Sequence, residues 1–211
     1  MRVLVACEFS GVVRDAFRAR GHDAVSCDLL PTEAPGPHIE GDVLPHLADG
    51  WDMMIAHPPC TYLCSSGLHW NTRRPERAAQ TEEALAFVRA LLDAPIPRIA
   101  LENPIGCIST RIRRPDQIIQ PWMFGEDASK ATCLWLMGMR PLTPTRILRK
   151  RRYANQCENG QNKLGPSHDR WKLRSITYPG IATAMAEQWG DDYPWPAEQR
   201  RLELEERDGE L

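Results

Sequence analysis

Short apolar runs recur along the chain and predict the strands of a buried sheet. Apolar stretches of this length, bounded by polar or turn residues, are typical of strands that are covered on both faces. The predicted strands are Arg2–Cys7, His22–Cys27, Trp51–Ala56, Ile96–Leu101 and Ala131–Met137.

Helical spacing of apolar residues separates several of these runs. Val12–Arg20 has apolar side chains at helical intervals and is closed by Gly21. The clearest helix is Arg74–Leu92, which Pro75 is placed to open. Strands that alternate with helices predict an α/β fold, in which a mostly parallel sheet has helices on both faces.

The composition fits one globular domain. The chain has 211 residues, of which 42% are hydrophobic and 26% charged. No apolar run approaches the roughly 18 residues of a membrane span, and Glu8 interrupts the apolar start, so we expect no membrane and no secretory signal. None of the seven cysteines forms a Cys-x-x-Cys pair, which favours reduced thiols in a cytoplasm.

Positive charge is concentrated in one part of the chain. Residues 109–175 hold 14 Lys and Arg against 5 Asp and Glu, although the net charge of the whole chain is −2. The run Arg149-Lys150-Arg151-Arg152, with Tyr153 and Trp171 nearby in sequence, suits a polyanion such as nucleic acid. A solvated surface explains the same run equally well.

Polar and reactive residues collect at the predicted strand ends. Ligands of parallel sheets bind beyond the carboxyl ends of the strands, so this edge is where we expect a site. The residues there are Glu8–Gly11, Asp28, Asp42, His57–Cys60 and Glu102–Pro104.

Cys60 is the candidate nucleophile. It follows a predicted strand through Pro58-Pro59, and two prolines hold the next side chain in a rigid setting. A buried structural cysteine is the alternative, and it is the better interpretation of the other strand cysteines. Cys64 could be a metal partner, but no His or Cys group around it has zinc spacing, so we expect no metal.

Glu102 is the candidate general acid. It follows the predicted strand Ile96–Leu101, where partial burial is expected to raise its pKa. A helix cap or a surface ion pair is the alternative. Together, Cys60 and Glu102 offer a thiolate to attack a ring and an acid to protonate it.

These motifs resemble those of the DNA cytosine-5 methyltransferases in a compact phage or bacterial form. Pro59-Cys60 resembles the Pro-Cys nucleophile motif, and Glu102-Asn103-Pro104 resembles the Glu-Asn-Val motif. Trp122–Gly138 resembles the stretch that leads into a Gln-x-Arg-x-Arg strand. Leu173–Ile176, followed by the helical Ile181–Trp189, resembles the Gly-Asn-Ser-Val motif and the final helix. The four motifs stand in family order.

Several positions depart from the family pattern. The family's first loop is Phe-x-Gly-x-Gly, of which only Gly11 clearly survives here. Thr61 replaces the usual Gln after the nucleophile, and Lys130 is the cation nearest to the missing motif arginine. Only about Arg140–Arg170 is available for target recognition, which is too short for an independent core.

The resemblance implies a single Rossmann-like methyltransferase domain over residues 1–190, with a basic recognition segment at about 140–170 and a charged tail at 191–211. It implies S-adenosylmethionine as cofactor, DNA as partner and a cytoplasmic role in a prokaryotic or phage-infected cell, such as restriction-modification. The implied catalytic residues are Cys60, Glu102 and Lys130. The implied cofactor-binding residues are Cys7, Glu8, Phe9, Ser10, Gly11, Asp28, Asp42, Pro58 and Ser175. The implied nucleic-acid-binding residues are Arg149, Lys150, Arg151 and Arg152.

In the mechanism implied by the resemblance, Cys60 adds to C6 of a cytosine turned out of the stack, while Glu102 holds or protonates N3. Asp28 would bind the cofactor ribose and Asp42 the adenine amino group, whereas both are turn-capping acids in the plainer interpretation. Phe9 or Trp51 could stack on adenine, although Trp51 suits the core equally well.

The sequence bears on four other functions. The same residues could modify another pyrimidine, such as RNA, a free nucleotide or cytosine with an unusual donor, or the chain could be a catalytically silent DNA-binding protein. An NAD-type oxidoreductase would need a full Gly-x-Gly-x-x-Gly, which is absent from the sequence. An amino-methyltransferase would need an aromatic residue where Cys60 stands.

Overall fold

The computed structural model describes residues 1–158 and 162–190. The charged tail predicted for residues 191–211 lies outside the described residues. Within them, the chain forms one sheet with helices on both faces, so the predicted α/β class is confirmed.

Seven strands make up the sheet, in the spatial order β3-β2-β1-β4-β5-β7-β6. They are β1 (Arg2–Ala6), β2 (Asp23–Asp28), β3 (His38–Glu40), β4 (Met53–Ala56), β5 (Ile99–Pro104), β6 (Gln117–Ile119) and β7 (Thr132–Met137). Strands β1 to β5 are parallel, whereas β7 runs antiparallel to both β5 and β6. The sequence pattern did not predict β3 and β6, because three residues are too few to show a periodicity.

The helices connect the strands and cover the sheet. They are α1 (Val12–Ala19), α2 (Ser65–Leu68), α3 (Pro75–Leu92), α4 (Ile108–Arg111), α5 (Arg170–Ser175) and α6 (Pro179–Gly190). Short 3-10 turns occur at Leu44–His46, His69–Thr72 and Pro121–Met123. Among the described residues, no helix is long and apolar enough to cross a membrane.

Two hydrophobic clusters lie on the two faces of the sheet. On one face, Leu85, Val88 and Leu91 of α3 pack with alternate residues of the strands. On the other face, Phe17 of α1 and Met185 of α6 pack with the remaining strand residues. Helix α3 covers one face of the sheet, and α1 and α6 cover the other, so both faces are shielded from water. The strands therefore carry apolar residues on both faces and appear in the sequence as continuous apolar runs.

The order of the strands determines where a ligand can bind. The chain leaves β1 toward β2 and β3 on one side and returns to β4 and β5 on the other. Neighbouring connections therefore diverge above the carboxyl ends of β1 and β4, and ligands of open α/β sheets bind in the crevice at such a switch point. The residues that follow β1 and β4 line this crevice.

Candidate active site and nucleic-acid interface

His57 and Glu102 form a hydrogen-bonded pair at the tips of two neighbouring strands. His57 directly follows β4, and its backbone N–H donates to the Ala6 carbonyl of β1 at 2.9 Å. Its Nδ1 lies 3.0 Å from Glu102 Oε2, and the two side chains are only 9% and 12% exposed. Glu102 lies inside β5, which continues to Pro104 instead of ending at Leu101 as the sequence suggested. The pair is therefore held by the sheet itself.

The expectation that Glu102 has a raised pKa is wrong. Burial raises the pKa of this carboxyl, but the positive charge of Lys130 and the hydrogen bond and charge of His57 outweigh burial, together with a hydrogen bond from Thr132. The net result is a pKa below the ordinary value for Glu. Glu102 is therefore a buried carboxylate whose charge is stabilised by its partners.

Cys60 lies close to this carboxylate on a loop that is tied to β5. The side-chain amide of Asn103 donates to the Pro58 carbonyl at 2.7 Å, which fixes the loop two residues before the exposed Cys60. The charge of Glu102 raises the pKa of Cys60 and the charge of Lys130 lowers it, so all three groups are within electrostatic reach. The structure therefore brings together the three residues predicted to be catalytic.

Cys60 is also paired with a second thiol, Cys64. The N–H of Cys64 donates to the Cys60 carbonyl at 3.0 Å, which makes one helical turn and brings both side chains to one side. A hydrogen bond to Cys64 raises the pKa of Cys60, with burial as the next cause. The same hydrogen bond lowers the pKa of Cys64, as do Ser66, 3.2 Å away, and the backbone of Gly67. The pair thus releases its first proton at lower pH than a single thiol, and the charge is favoured on Cys64.

A small pocket opens beside Glu102, between the start of β7 and the start of α6. Its lining residues are Glu102, Lys130, Thr132, Thr177, Tyr178, Ile181 and Met185. Sequence reasoning assigned roles to the first two but missed Thr132, Thr177 and Tyr178, and it placed His57 at this edge of the sheet without giving it a role. Their only sequence signal was proximity to motif residues, Thr132 two after Lys130 and Thr177 two after Ser175.

The loop after β1 is strained at Cys7 and closed by Glu8. Cys7 has a φ of 59°, which costs energy for any residue except glycine and is typical of functional sites when it persists. The Glu8 carboxylate accepts from the N–H groups of Val13 (2.7 Å) and Arg14 (3.2 Å) at the start of α1. The Glu8 carboxylate thus ties the loop to the start of α1, and its expected role in cofactor binding stays a prediction.

Ser10 and Gly11 complete the turn into α1. The Ser10 hydroxyl lies 3.3 Å from Glu8 Oε1 and can donate to it. Gly11 has a φ of 75°, and a Cβ there would meet the buried guanidinium of Arg14 at 2.4 Å. Gly11 is thus required by the local packing, whatever ligand the loop binds.

Asp28 and Asp42 stand together near Cys7. Asp28 ends β2 and accepts from the N–H of Leu30 at 3.0 Å, while burial raises its pKa. Asp42 is exposed and accepts from the N–H of Leu44 at 3.0 Å. Both carboxylates act electrostatically on Cys7, so the tips of β1, β2 and β3 form one acidic side of the crevice.

The aromatic candidates for stacking on a base have different surroundings. Phe9 is buried and lies beside α5, with its ring 6.4 Å from that of Trp171 and 5.7 Å from the Lys172 ammonium. Trp51 is a core residue, because it is 6% exposed and its indole N–H donates to the His46 carbonyl at 2.7 Å.

Ser175, the last candidate cofactor residue, is exposed at the end of α5. Its hydroxyl donates to the Lys172 carbonyl at 2.7 Å. This bond is local to the helix, so Ser175 is engaged by its own backbone whereas its neighbours Thr177 and Tyr178 line the pocket.

The basic run at residues 149–152 is exposed and anchored next to the strand that follows Lys130. The backbone N–H groups of Arg152 and Tyr153 donate to one oxygen of Asp127, at 2.9 and 3.0 Å. The guanidinium of Arg151 stacks over the ring of Trp122 at 4.2 Å from its centre. The charged side chains therefore lie on the side of the site formed by residues 122–130.

A second basic and aromatic cluster, unpredicted from sequence, follows Cys60. The Trp70 ring is 38% exposed, and the guanidinium groups of Arg73 and Arg74 lie 5.6 and 4.9 Å from its centre. Arg77 covers the ring of Tyr62 at 4.9 Å and donates to the Thr61 carbonyl at 2.7 Å. This cluster, residues 61–77, presents aromatic rings and cations beside the candidate nucleophile.

The described part of the chain contains no group of three or more His, Cys, Asp or Glu side chains that could hold a metal ion.

Comparison with known proteins gives a likeness to solved structures. No protein-family model matches the chain, and no curated protein matches it. A solved structure from E. coli, described as a "putative DNA modification methyltransferase encoded within prophage", is similar with a TM-score of 0.41 and 14% sequence identity. The match covers 70% of this chain and 52% of that one, so this chain spans about half the length of that protein.

Proposed function

We propose that the protein is a DNA cytosine-5 methyltransferase in which Cys60 forms a covalent bond to C6 of the target base. The observation that supports this most is the mutual electrostatic influence of Cys60, Glu102 and Lys130, on the tips of β4, β5 and β7. A nucleophile beside a carboxylate and a cation is the set that addition to a pyrimidine ring requires. The domain over residues 1–190, with its basic segment at 140–170, is part of this proposal.

S-adenosylmethionine fits the crevice above β1 and β2. The carboxylates of Asp28 and Asp42 are hydrogen-bond acceptors, which suit the hydroxyl groups of a ribose and the amino group of adenine. The left-handed backbone at Cys7 stands where the family resemblance has a glycine-rich loop. Asp28, Asp42 and the Cys7–Gly11 loop would hold the cofactor, which supplies an electrophilic methyl group when bound.

The chain's own residues would prepare the base. The Cys60 sulfur forms a bond to C6, and the ring electrons move through C5 and C4 to N3. N3 takes a proton through Glu102, which leaves C5 nucleophilic. Lys130, facing both residues, stabilises negative charge on Glu102 and on the sulfur. After the transfer, loss of the C5 proton lets the Cys60 thiolate leave.

The surface around the site favours a nucleic acid as substrate. Exposed Arg and Lys at 149–152 lie on one side, and the cluster at 61–77 lies beside Cys60. Phosphates bind such cations without sequence information, and unstacked bases bind exposed rings such as Trp70. Described residues between β7 and α5 contain neither helix nor strand, so we propose a short target of about two to four bases.

Modification of another pyrimidine, such as RNA, is the second candidate. The same small recognition surface favours it, because a segment without elements of its own offers few positions for reading a duplex groove.

A methyl-transfer assay tests the proposal. Labelled S-adenosylmethionine is incubated with duplex DNA, single-stranded DNA and RNA, and we expect label at C5 of DNA cytosine. Cys60→Ser should abolish transfer while its thermal unfolding and cofactor binding stay at the wild-type level. DNA carrying 5-fluorocytosine should trap an adduct on Cys60, since fluorine cannot leave as a proton does. Label on RNA alone favours the second candidate function, modification of another pyrimidine. An adduct on Cys64 contradicts the assignment of Cys60 as the nucleophile.

A further inference from the structure

His57 is a buried imidazole that the proposed chemistry has not yet used. It contacts one buried carboxyl group, Glu102 of β5, and acts electrostatically on another, Glu8, which follows β1. Its Nδ1 contacts Glu102 Oε2 at 3.0 Å. Burial raises the pKa of Glu8, and the charge of His57 opposes that rise, so the two groups are within electrostatic reach. Its Nε2 is buried and has no hydrogen-bond partner among the described residues.

The hydrogen bond determines where one proton of His57 resides. An ionised carboxylate can only accept, so Nδ1 must carry a hydrogen and donate it to Glu102. A second proton on Nε2 would make the ring an imidazolium, which can give up its Nδ1 proton and remain a neutral imidazole. Imidazole is the side chain whose charge ordinarily changes between about pH 5 and 8.

Glu102 by itself is poorly suited to be the acid. Its pKa is held below the ordinary value for Glu, so in the absence of substrate it is a carboxylate with no proton to give. The titratable groups that face the pair are Glu8 from the β1 tip, Lys130 from before β7 and the Cys60 thiol. Among these groups, His57 is the one that makes a hydrogen bond with Glu102, at 3.0 Å.

We propose that His57 supplies the proton that Glu102 delivers to N3 of the target base. This role rests on the proposed function. As the sulfur–C6 bond forms and electrons reach N3, the Nδ1 proton moves to Glu102 and the carboxyl proton moves to N3. His57 is left neutral with its hydrogen on Nε2. When Cys60 later leaves, the N3 proton returns through Glu102 to Nδ1, so no proton is consumed in the cycle.

The segment His57–Cys60 positions both the nucleophile Cys60 and the proton donor His57. His57 precedes Pro58-Pro59-Cys60 and is pinned to β1 through its backbone N–H. The sheet therefore holds the His57 imidazole and the Cys60 thiol in fixed positions relative to Glu102 on β5. His57 is a positioning residue that acts through Glu102 and does not itself touch the base.

His57→Gln separates proton supply from simple positioning. Glutamine can donate a hydrogen bond to Glu102 but cannot hold an exchangeable charge, whereas His57→Ala removes both properties. Single-turnover methyl transfer to DNA is measured from pH 5.5 to about 9. Because the Cys60 thiol ionises as the pH rises in the wild type and the variants alike, the readout is the rate of each variant relative to the wild type at the same pH. In both variants the rate at neutral pH should fall about a hundredfold, as for a lost acid, and this deficit should shrink toward pH 5.5, where solvent protonates Glu102 more often.

Two results would overturn the proposal. One is a His57→Gln variant that keeps the wild-type rate and pH profile, since this is what a purely structural hydrogen bond predicts. The other comes from nuclear magnetic resonance of the imidazole in the full chain, which needs no activity. There, Glu102→Gln should shift the Nδ1–H resonance of His57, because that hydrogen no longer meets a charged carboxylate, and an unchanged resonance contradicts the pairing. If the wild type methylates no cytosine at any pH, the proposed function fails first and this role falls with it.

Discussion

Individual side chains at the site are controlled by their neighbours more than by their own chemistry. Glu102 is almost fully buried, yet the charges of Lys130 and His57 lower its pKa. The thiols of Cys60 and Cys64 are likewise coupled, so that the pKa values of the two sulfurs move in opposite directions. At this scale, the candidate site is a chain of paired charges across the strand tips.

The thiol pair leads to a prediction about alkylation. Because the pKa of Cys64 is lowered and that of Cys60 raised, iodoacetamide at about pH 6.5 should modify Cys64 before Cys60. In Cys64→Ser this early reaction should disappear, and Cys60 should react only as the pH is raised. Peptide mass mapping gives the site and rate, with the exposed Cys157 as internal reference. Equal rates at Cys60 and Cys64 across the pH range would contradict the coupling.

The elements around the site hold it through close backbone contacts. The loop that bears Cys60 continues through Leu63, whose carbonyl accepts from Cys107 at 2.8 Å. Cys64 and Gly106 pair as an isolated bridge. A Cβ on Gly106 would lie 2.0 Å from the Leu63 carbonyl oxygen and 2.8 Å from Cys64 Cα. Only glycine therefore lets the β4 loop and the β5 loop approach this closely.

Gly106→Ala should consequently separate the two loops. Both groups that the new methyl would meet are backbone, so neither can rotate away, and we expect a loss of about 1–3 kcal/mol in the free energy of unfolding. Urea denaturation measures it, and thiol labelling of Cys64 should accelerate as the bridge opens. Gly165→Ala is the matched control, because a Cβ there meets nothing within 4 Å. Equal midpoints for the two variants would show that the loops tolerate the displacement.

On the scale of the whole molecule, charge is distributed so that one edge of the sheet can receive a polyanion. The exposed run at residues 149–152 and the cluster at 61–77 flank the candidate site. In contrast, Asp28 and Asp42 make the side assigned to the cofactor acidic. The net charge of −2 therefore conceals two surfaces of opposite sign.

Changing Arg149, Lys150, Arg151 and Arg152 together to Ala should weaken binding to all DNA sequences about equally. Each phosphate contact contributes roughly one unit to the slope of log affinity against log salt, so the slope should become shallower by up to about 4. Fluorescence anisotropy at several salt concentrations measures both quantities. Arg18→Ala with Arg20→Ala is the control, since these exposed residues end α1 and lie at the opposite edge of the sheet. An unchanged slope in the quadruple variant would show that the run only solubilises the surface.

The sequence by itself determined the main architecture, because strands that are buried on both faces of the sheet consist of continuous apolar residues. Five strands and the helices α1, α3 and α6 follow from those runs and from helical spacing, and the rule for strand ends directs attention to Cys60 and Glu102. Segments of three residues, such as β3 and β6, leave no period to detect.

Only the tertiary structure decided how the site residues pair. That Glu102 meets His57, from a strand 45 residues earlier, depends on β4 and β5 being neighbours in the sheet. Glu8 accepts hydrogen bonds from the start of α1, and Trp51 packs in the core and donates to the His46 carbonyl. Both roles depend on which groups the fold places next to each side chain. The ionisation of the site residues also depends on the tertiary structure. The sequence identifies the titratable groups, but the pKa of each group depends on its burial and on charges a few ångströms away. These distances are defined only once the strands have assembled.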